Sequence, residues 1–146
     1  MREARELIRS YVAAGDAGDY DALRRVLHPD VVTHSPGGIT SRGVDDQIAA
    51  WRAAHDGLDE LTHEIVAIVG DGEAAAARVR AGGVHRGRFL GIDPTGNEIR
   101  VDQALFVRSD GSRIVEVWEV VDTGAGFRQL GVLADYPSTP GTDDGP

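Results

Sequence analysis

Apolar residues at the start of the chain recur at helical spacing: Ala4, Leu7, Ile8, Tyr11 and Val12 share one face, predicting an amphipathic helix that stops near Gly15. Asp19 is placed to cap a second, shorter helix whose stripe is Leu23, Val26 and Leu27. His28-Pro29-Asp30 should end that helix, since proline cannot continue the ladder, with the His28 charge favoured at the C-terminal dipole. Val31 to His34 reads as a short extended piece, broken by Ser35-Pro36-Gly37-Gly38. Val44 to His55 predicts a third helix in which Ile48 and Trp51 share a face and His55 lies one turn beyond Trp51.

From there the period changes to two. Leu61, His63, Ile65, Ala67 and Val69 alternate with Thr62, Glu64, Val66 and Ile68, and Gly70-Asp71-Gly72 turns the chain. Ala75 to Arg80 continues the sheet weakly, and its alanines leave a helix as a competing expectation. A further strand is expected near Val84 to Leu90, a turn over Asp93 to Asn97, a return strand over Ile99 to Arg108, and a hairpin at Asp110-Gly111 into Ile114 to Asp122. The tail 137–146, rich in Pro, Gly, Asp and Thr, is expected to be disordered, leaving one domain over 1–136. Three helices followed by antiparallel strands predict an α+β domain whose curved sheet wraps over the helices as a cone. Small residues from Ala74 to Gly83 would leave a cavity within the cone.

The last strand carries the most telling chemistry. One face holds Val115, Val117, Glu119 and Val121, so Glu119 is a lone acid among aliphatic neighbours, where ionisation is costly and a raised pKa suits acid/base catalysis. Gln103 occupies the same kind of position among Val101, Leu105 and Val107 on the preceding strand, and hairpin pairing would aim both groups into one cavity. The bland alternative is that each is a buried polar group bonded to backbone. The opposite face, with Ile114, Glu116, Trp118, Val120 and Asp122, is mixed and can meet water or a second subunit.

Composition narrows the chemistry. All 15 basic residues are arginine and there is no cysteine, which excludes Schiff bases, thiolate nucleophiles and disulfides. A net charge of -9 disfavours nucleic acid and anionic membranes. No apolar run spans a bilayer and Met1 to Ser10 has no signal-peptide core, which predicts a cytoplasmic protein. The histidines at 28, 34, 55, 63 and 85 make no tight ligand pair, so no metal site is expected. His34 and His55 are candidate cavity groups, either hydrogen-bonding or relaying protons. Gly70 to Ala75 formally matches a dinucleotide fingerprint, but it follows three helices and its acids would repel a pyrophosphate, so an acidic hairpin turn is expected.

Leu27-His28-Pro29-Asp30, the block from His85 to Gly96, Gly111 to Glu116, and Arg128-Gln129-Leu130-Gly131 together resemble the SnoaL-like polyketide cyclases of the nuclear transport factor 2-like superfamily. The resemblance runs from the first helix to about Asp135. It implies a cone-shaped α+β barrel, commonly oligomeric, that closes a ring of an aromatic polyketide by intramolecular aldol condensation in antibiotic biosynthesis, without metal or cofactor. The acid/base aspartate of those enzymes matches Glu119 and their substrate-holding glutamine matches Gln103, while a histidine two residues beyond that glutamine is replaced by Leu105. The expected catalytic set is Glu119, Gln103 and His34, with Trp51, His55, Phe89, Leu105 and Val117 contacting a hydrophobic small-molecule substrate, in a homodimer or tetramer. Isomerisation, dehydration, epoxide opening or hydroxylation in the same cavity is the alternative, as is a binder without catalysis.

Overall fold

A computed structural model describes residues 2–134. The expected tail, 137–146, lies outside the described residues. Three helices open the chain: α1 (Ala4–Ala17), α2 (Tyr20–Val26) and, after β1 (Leu27–Ser35) and β2 (Ile39–Arg42), α3 (Val44–Gly57). Four long strands follow: β3 (Leu58–Gly70), β4 (Ala74–His85), β5 (Glu98–Ser109) and β6 (Ile114–Val121); α4 (Thr123–Gln129) ends the domain. The six strands form one curved, unclosed sheet in the order β2-β1-β6-β5-β4-β3, antiparallel throughout except for the parallel pair β1 and β6.

Local chemistry explains most boundaries. α1 runs past Gly15 to end at Gly18, whose φ of 65° is the left-handed conformation that closes a helix. Asp19 caps α2 by accepting from the Ala22 N–H at 3.0 Å. That helix stops before His28-Pro29-Asp30, because Leu27 already has extended backbone and begins β1; His28 is a strand residue whose Nδ1 accepts from Asp30 N–H, not a helix cap.

Alanine-rich β4 is a strand and not a helix, held on both sides by the long registers of β3 and β5. Its small inward side chains Ala75 and Ala77 let α1 lie close to the sheet, where Leu7, Ile8 and Tyr11 join Leu105, Val107, Ile114 and Val117 in the main core. Ile114 is part of this core because the β5–β6 register shifts between Arg108 and Ser109. β3 turns into β4 through Asp71, which accepts from the N–H groups of Glu73 and Ala74, confirming an acidic hairpin turn.

The strand expected near Val84 to Leu90 is corrected by the structure. β4 ends at His85, and the chain then makes a tight reversal in which Phe89 and Ile92 pair across Leu90 and Gly91, both at positive φ. β2 and α4 have no counterpart in the sequence reading.

Candidate active site

The concave face of the sheet is filled unevenly. α1 packs the half near the β5–β6 hairpin, while the other half stays open as a cavity of about 430 Å³ between the sheet, α3, α4 and the 86–97 segment. Its lining is mainly apolar, with Trp51, Leu61, Ile99, Val101 and Phe127 among the walls. The methyl of Ala81 and the bare backbone of Gly82 keep the sheet wall open. Phe89 lies against Gly57, where a Cβ would sit 2.5 Å from the Phe89 Cβ and 2.9 Å from its ring, so only glycine permits this approach.

α4 closes the far end. Asp122 caps it by accepting from Ala125 N–H at 3.0 Å. Gln129 then behaves as a substitute strand: its Oε1 accepts from Arg100 N–H and its Nε2 donates to Arg100 O, covering the stretch of β5 that β6 does not reach. This fixes Phe127 and Leu130 on the cavity.

Glu119 and Gln103 both line the cavity. In register Leu105 faces Glu119 and Val121 faces Gln103, so the two polar side chains are diagonal neighbours on one face. Burial among apolar groups pushes the Glu119 carboxyl above the ordinary glutamate range, and the nearby His63 charge opposes part of that rise. Trp51 and Phe89 line the same space.

Four expected site residues lie elsewhere. His34 points to the outer face of the sheet, where its Nε2 pairs with Glu116 Oε2 at 2.8 Å and its ring stacks on Trp118 at 5.3 Å. Glu116 is held below its ordinary pKa by that bond and by Arg108. His55 is a structural residue whose Nε2 meets Gly15 O at 2.7 Å, tying α3 to α1. Leu105 and Val117 are packed into the core beneath the cavity rather than lining it.

Two further groups border the site without a signal in the expected catalytic set. His63 lines the cavity, with Nδ1 bonded to Asp16 Oδ1 at 2.6 Å. The buried Tyr11 hydroxyl accepts hydrogen bonds from Gln47 Nε2 and, at 3.2 Å, from Trp51 Nε1. Burial first, and the Glu119 charge second, push the Tyr11 phenol above its ordinary range, so it stays protonated. Among the described residues no group of three or more His, Cys, Asp or Glu is placed to hold a metal ion, and no helix is long and apolar enough to cross a membrane.

The half-open α+β cone is the ketosteroid isomerase-like fold. A protein of that fold from Catenulispora acidiphila superposes at a TM-score of 0.75, with 17% identity over 91% of this chain and 98% of that one. The profile of the SnoaL-like polyketide cyclases matches residues 5–130, and the chain belongs to that family. TsrD from Streptomyces laurentii is similar at 27% identity and a TM-score of 0.79, over 89% of this chain and 96% of that one. IdmH from Streptomyces antibioticus, provisionally described as a polyketide cyclase, is 29% identical with a TM-score of 0.77, over 87% and 97%. No curated protein matches the chain in sequence.

Proposed function

We propose that this protein is an acid/base catalyst acting on a hydrophobic, polyketide-like carbonyl compound, with intramolecular aldol cyclisation as the reaction. The observation that carries this reading is a carboxyl of raised pKa, Glu119, opening into an apolar cavity large enough for a ring system, with Gln103 beside it. Glu119 as carboxylate takes a hydrogen from the carbon next to a carbonyl. The electron pair moves toward the carbonyl oxygen, where the Gln103 amide donates a hydrogen bond to the developing charge. The carbon then attacks a second carbonyl of the same molecule, and Glu119 returns its proton to the new alkoxide. No nucleophile on the protein is required, and the apolar walls keep water from the enolate. The protein would work in the cytoplasm, in secondary metabolism.

The reading is tested with α-tetralone, a bicyclic aryl ketone, by following hydrogen–deuterium exchange at its α-carbon in heavy water by NMR. Exchange above background is expected, and Glu119→Gln should slow it about 100-fold to 10,000-fold. Background exchange in the unaltered protein, or equal rates in the two, would refute it.

The outer face of β5 and β6 exposes Phe106, Trp118 and Val120. In register Phe106 and Trp118 lie side by side, and we read this apolar patch as the contact between two copies of the chain.

A further inference from the structure

Asp16 sits in the last turn of α1, where the negative end of the helix disfavours an acid. It is held there by His63 of β3: its Oδ2 accepts from the His63 backbone N–H at 2.7 Å, and its Oδ1 meets the ring Nδ1 at 2.6 Å. An ionised carboxylate only accepts, so Nδ1 carries a hydrogen and Nε2 is the nitrogen left for proton transfer. The ring packs edge-on against Trp51 at 5.1 Å and is largely buried, its side chain 12% exposed, on the cavity wall. The hydrogen bonds of His63 among the described residues run through its backbone N–H and Nδ1, both to Asp16.

The groups around this imidazole are few. α1 supplies Asp16 and the protonated Tyr11; α3 supplies His55, beyond Trp51 and bonded to Gly15 O. β6 supplies Glu119, whose carboxyl feels the charge of His63 without a hydrogen bond to it. The strand neighbour on β4 is Ala81, which adds no charge.

We propose that His63, oriented by Asp16, is a second acid/base group of the cavity, protonating the carbonyl oxygen while Glu119 takes the hydrogen from carbon. The active form pairs the Glu119 carboxylate with the His63 imidazolium. As the C–H bond breaks, its hydrogen goes to Glu119 and its electron pair forms the carbon–carbon double bond. The carbonyl electron pair moves onto oxygen, which takes the hydrogen from Nε2. A neutral enol, a neutral imidazole and a protonated Glu119 result, and the charge balance is closed. Asp16 is the positioning residue, fixing the ring and its tautomer. This inference rests on Glu119 as the carbon base.

The test uses α-tetralone exchange across pH together with NMR of ring-labelled histidine. His63→Gln should slow exchange about 100-fold, the lower end of general acid/base help, and flatten the alkaline side of the pH–rate profile. Asp16→Asn should shift neutral His63 away from the Nδ1–H tautomer and slow exchange less. Neutral His63 with its hydrogen on Nε2 in the unaltered protein overturns the inference, even if His63→Gln fails to fold. So does a His63→Gln rate and pH profile matching the unaltered protein while Glu119→Gln is slow; that pattern leaves Glu119 as base standing. Glu119→Gln at the full rate refutes the parent reading instead.

Discussion

Tyr11→Phe removes a single oxygen atom and tests how the cavity wall is held. The hydroxyl lies fully inside the protein and accepts from two donors on α3, Gln47 Nε2 and Trp51 Nε1. Phenylalanine keeps the ring and its edge-on contact with Trp51, whose centroid is 5.7 Å away. Both donors lose their acceptor, and a buried group left unsatisfied costs about 1–3 kcal/mol. Gln47 and Trp51 both border the cavity, so water from that side recovers part of the loss. The expected net destabilisation is about 2–4 kcal/mol. Denaturant unfolding followed by tryptophan fluorescence would measure it by linear extrapolation. For a chain of this length the melting temperature should fall by roughly 5–15 °C. Gln47→Leu in the Tyr11→Phe background should cost less than it does alone, because a donor without an acceptor is then removed. A Tyr11→Phe protein within about 0.5 kcal/mol of the parent, or strict additivity in the double variant, would refute the reasoning.

Gly15→Ala places a Cβ 2.2 Å from Trp51 Cζ2, and the rigid indole must move. Overpacking of about 1–3 kcal/mol should exceed the helix-propensity gain of up to about 1 kcal/mol, read as a lower melting temperature with a shifted Trp51 emission. Glu119 has a folded-state pKa raised by burial, so its favourable contribution is present below the unfolded value and lost as pH rises through the folded one. Glu119→Gln should therefore melt higher than the parent at pH 8 and converge with it near pH 4; parallel curves would show that the carboxyl is not destabilised by burial. His34→Gln should leave α-tetralone exchange within about twofold, since the ring lies on the outer face with Glu116 and Trp118. Trp118→Glu should convert a dimer to monomers in sedimentation velocity, and an unchanged sedimentation coefficient would remove that patch as the contact.

Elements with a strong period and clear end signals were legible in the sequence. α1, α3, β5 and β6 each bury one side, and the two-residue alternation put Glu119 and Gln103 on one face; in β3 the expected alternation of Leu61, His63, Ile65, Ala67 and Val69 breaks at a register shift after Ile65, so that Ile68 packs against the core and Val69 is exposed. What was not legible lacked a buried face of its own. β2 exposes most of its four residues and exists only because β1 pairs with it. α4 has two glycines and no fully buried residue, and Gln129 rather than an apolar stripe holds it in place. His63 was hidden differently, since its partner Asp16 is distant in sequence. Two signals were present: a polar residue in an apolar alternation, the same argument that found Glu119, and an acid at a helix C-terminus, which needs a compensating partner.

The polar groups of the site sit where solid core gives way to open space. Along β5 the inward positions run from Ile99, Val101 and Gln103 on the cavity to Leu105 and Val107 in the core, and along β6 Glu119 lines the cavity while Val117 is packed. Two residues deeper, a carboxyl would be desolvated but out of a ligand's reach; two residues nearer the mouth, it would approach Asp122 and the exposed start of α4. At this boundary burial raises the pKa and access is retained. Tyr11, Gln47 and Trp51 mark the same border from the helix side. α1 thus helps set both the depth at which the sheet stops being filled and, through Asp16 on its last turn, the orientation of the imidazole on the opposite wall.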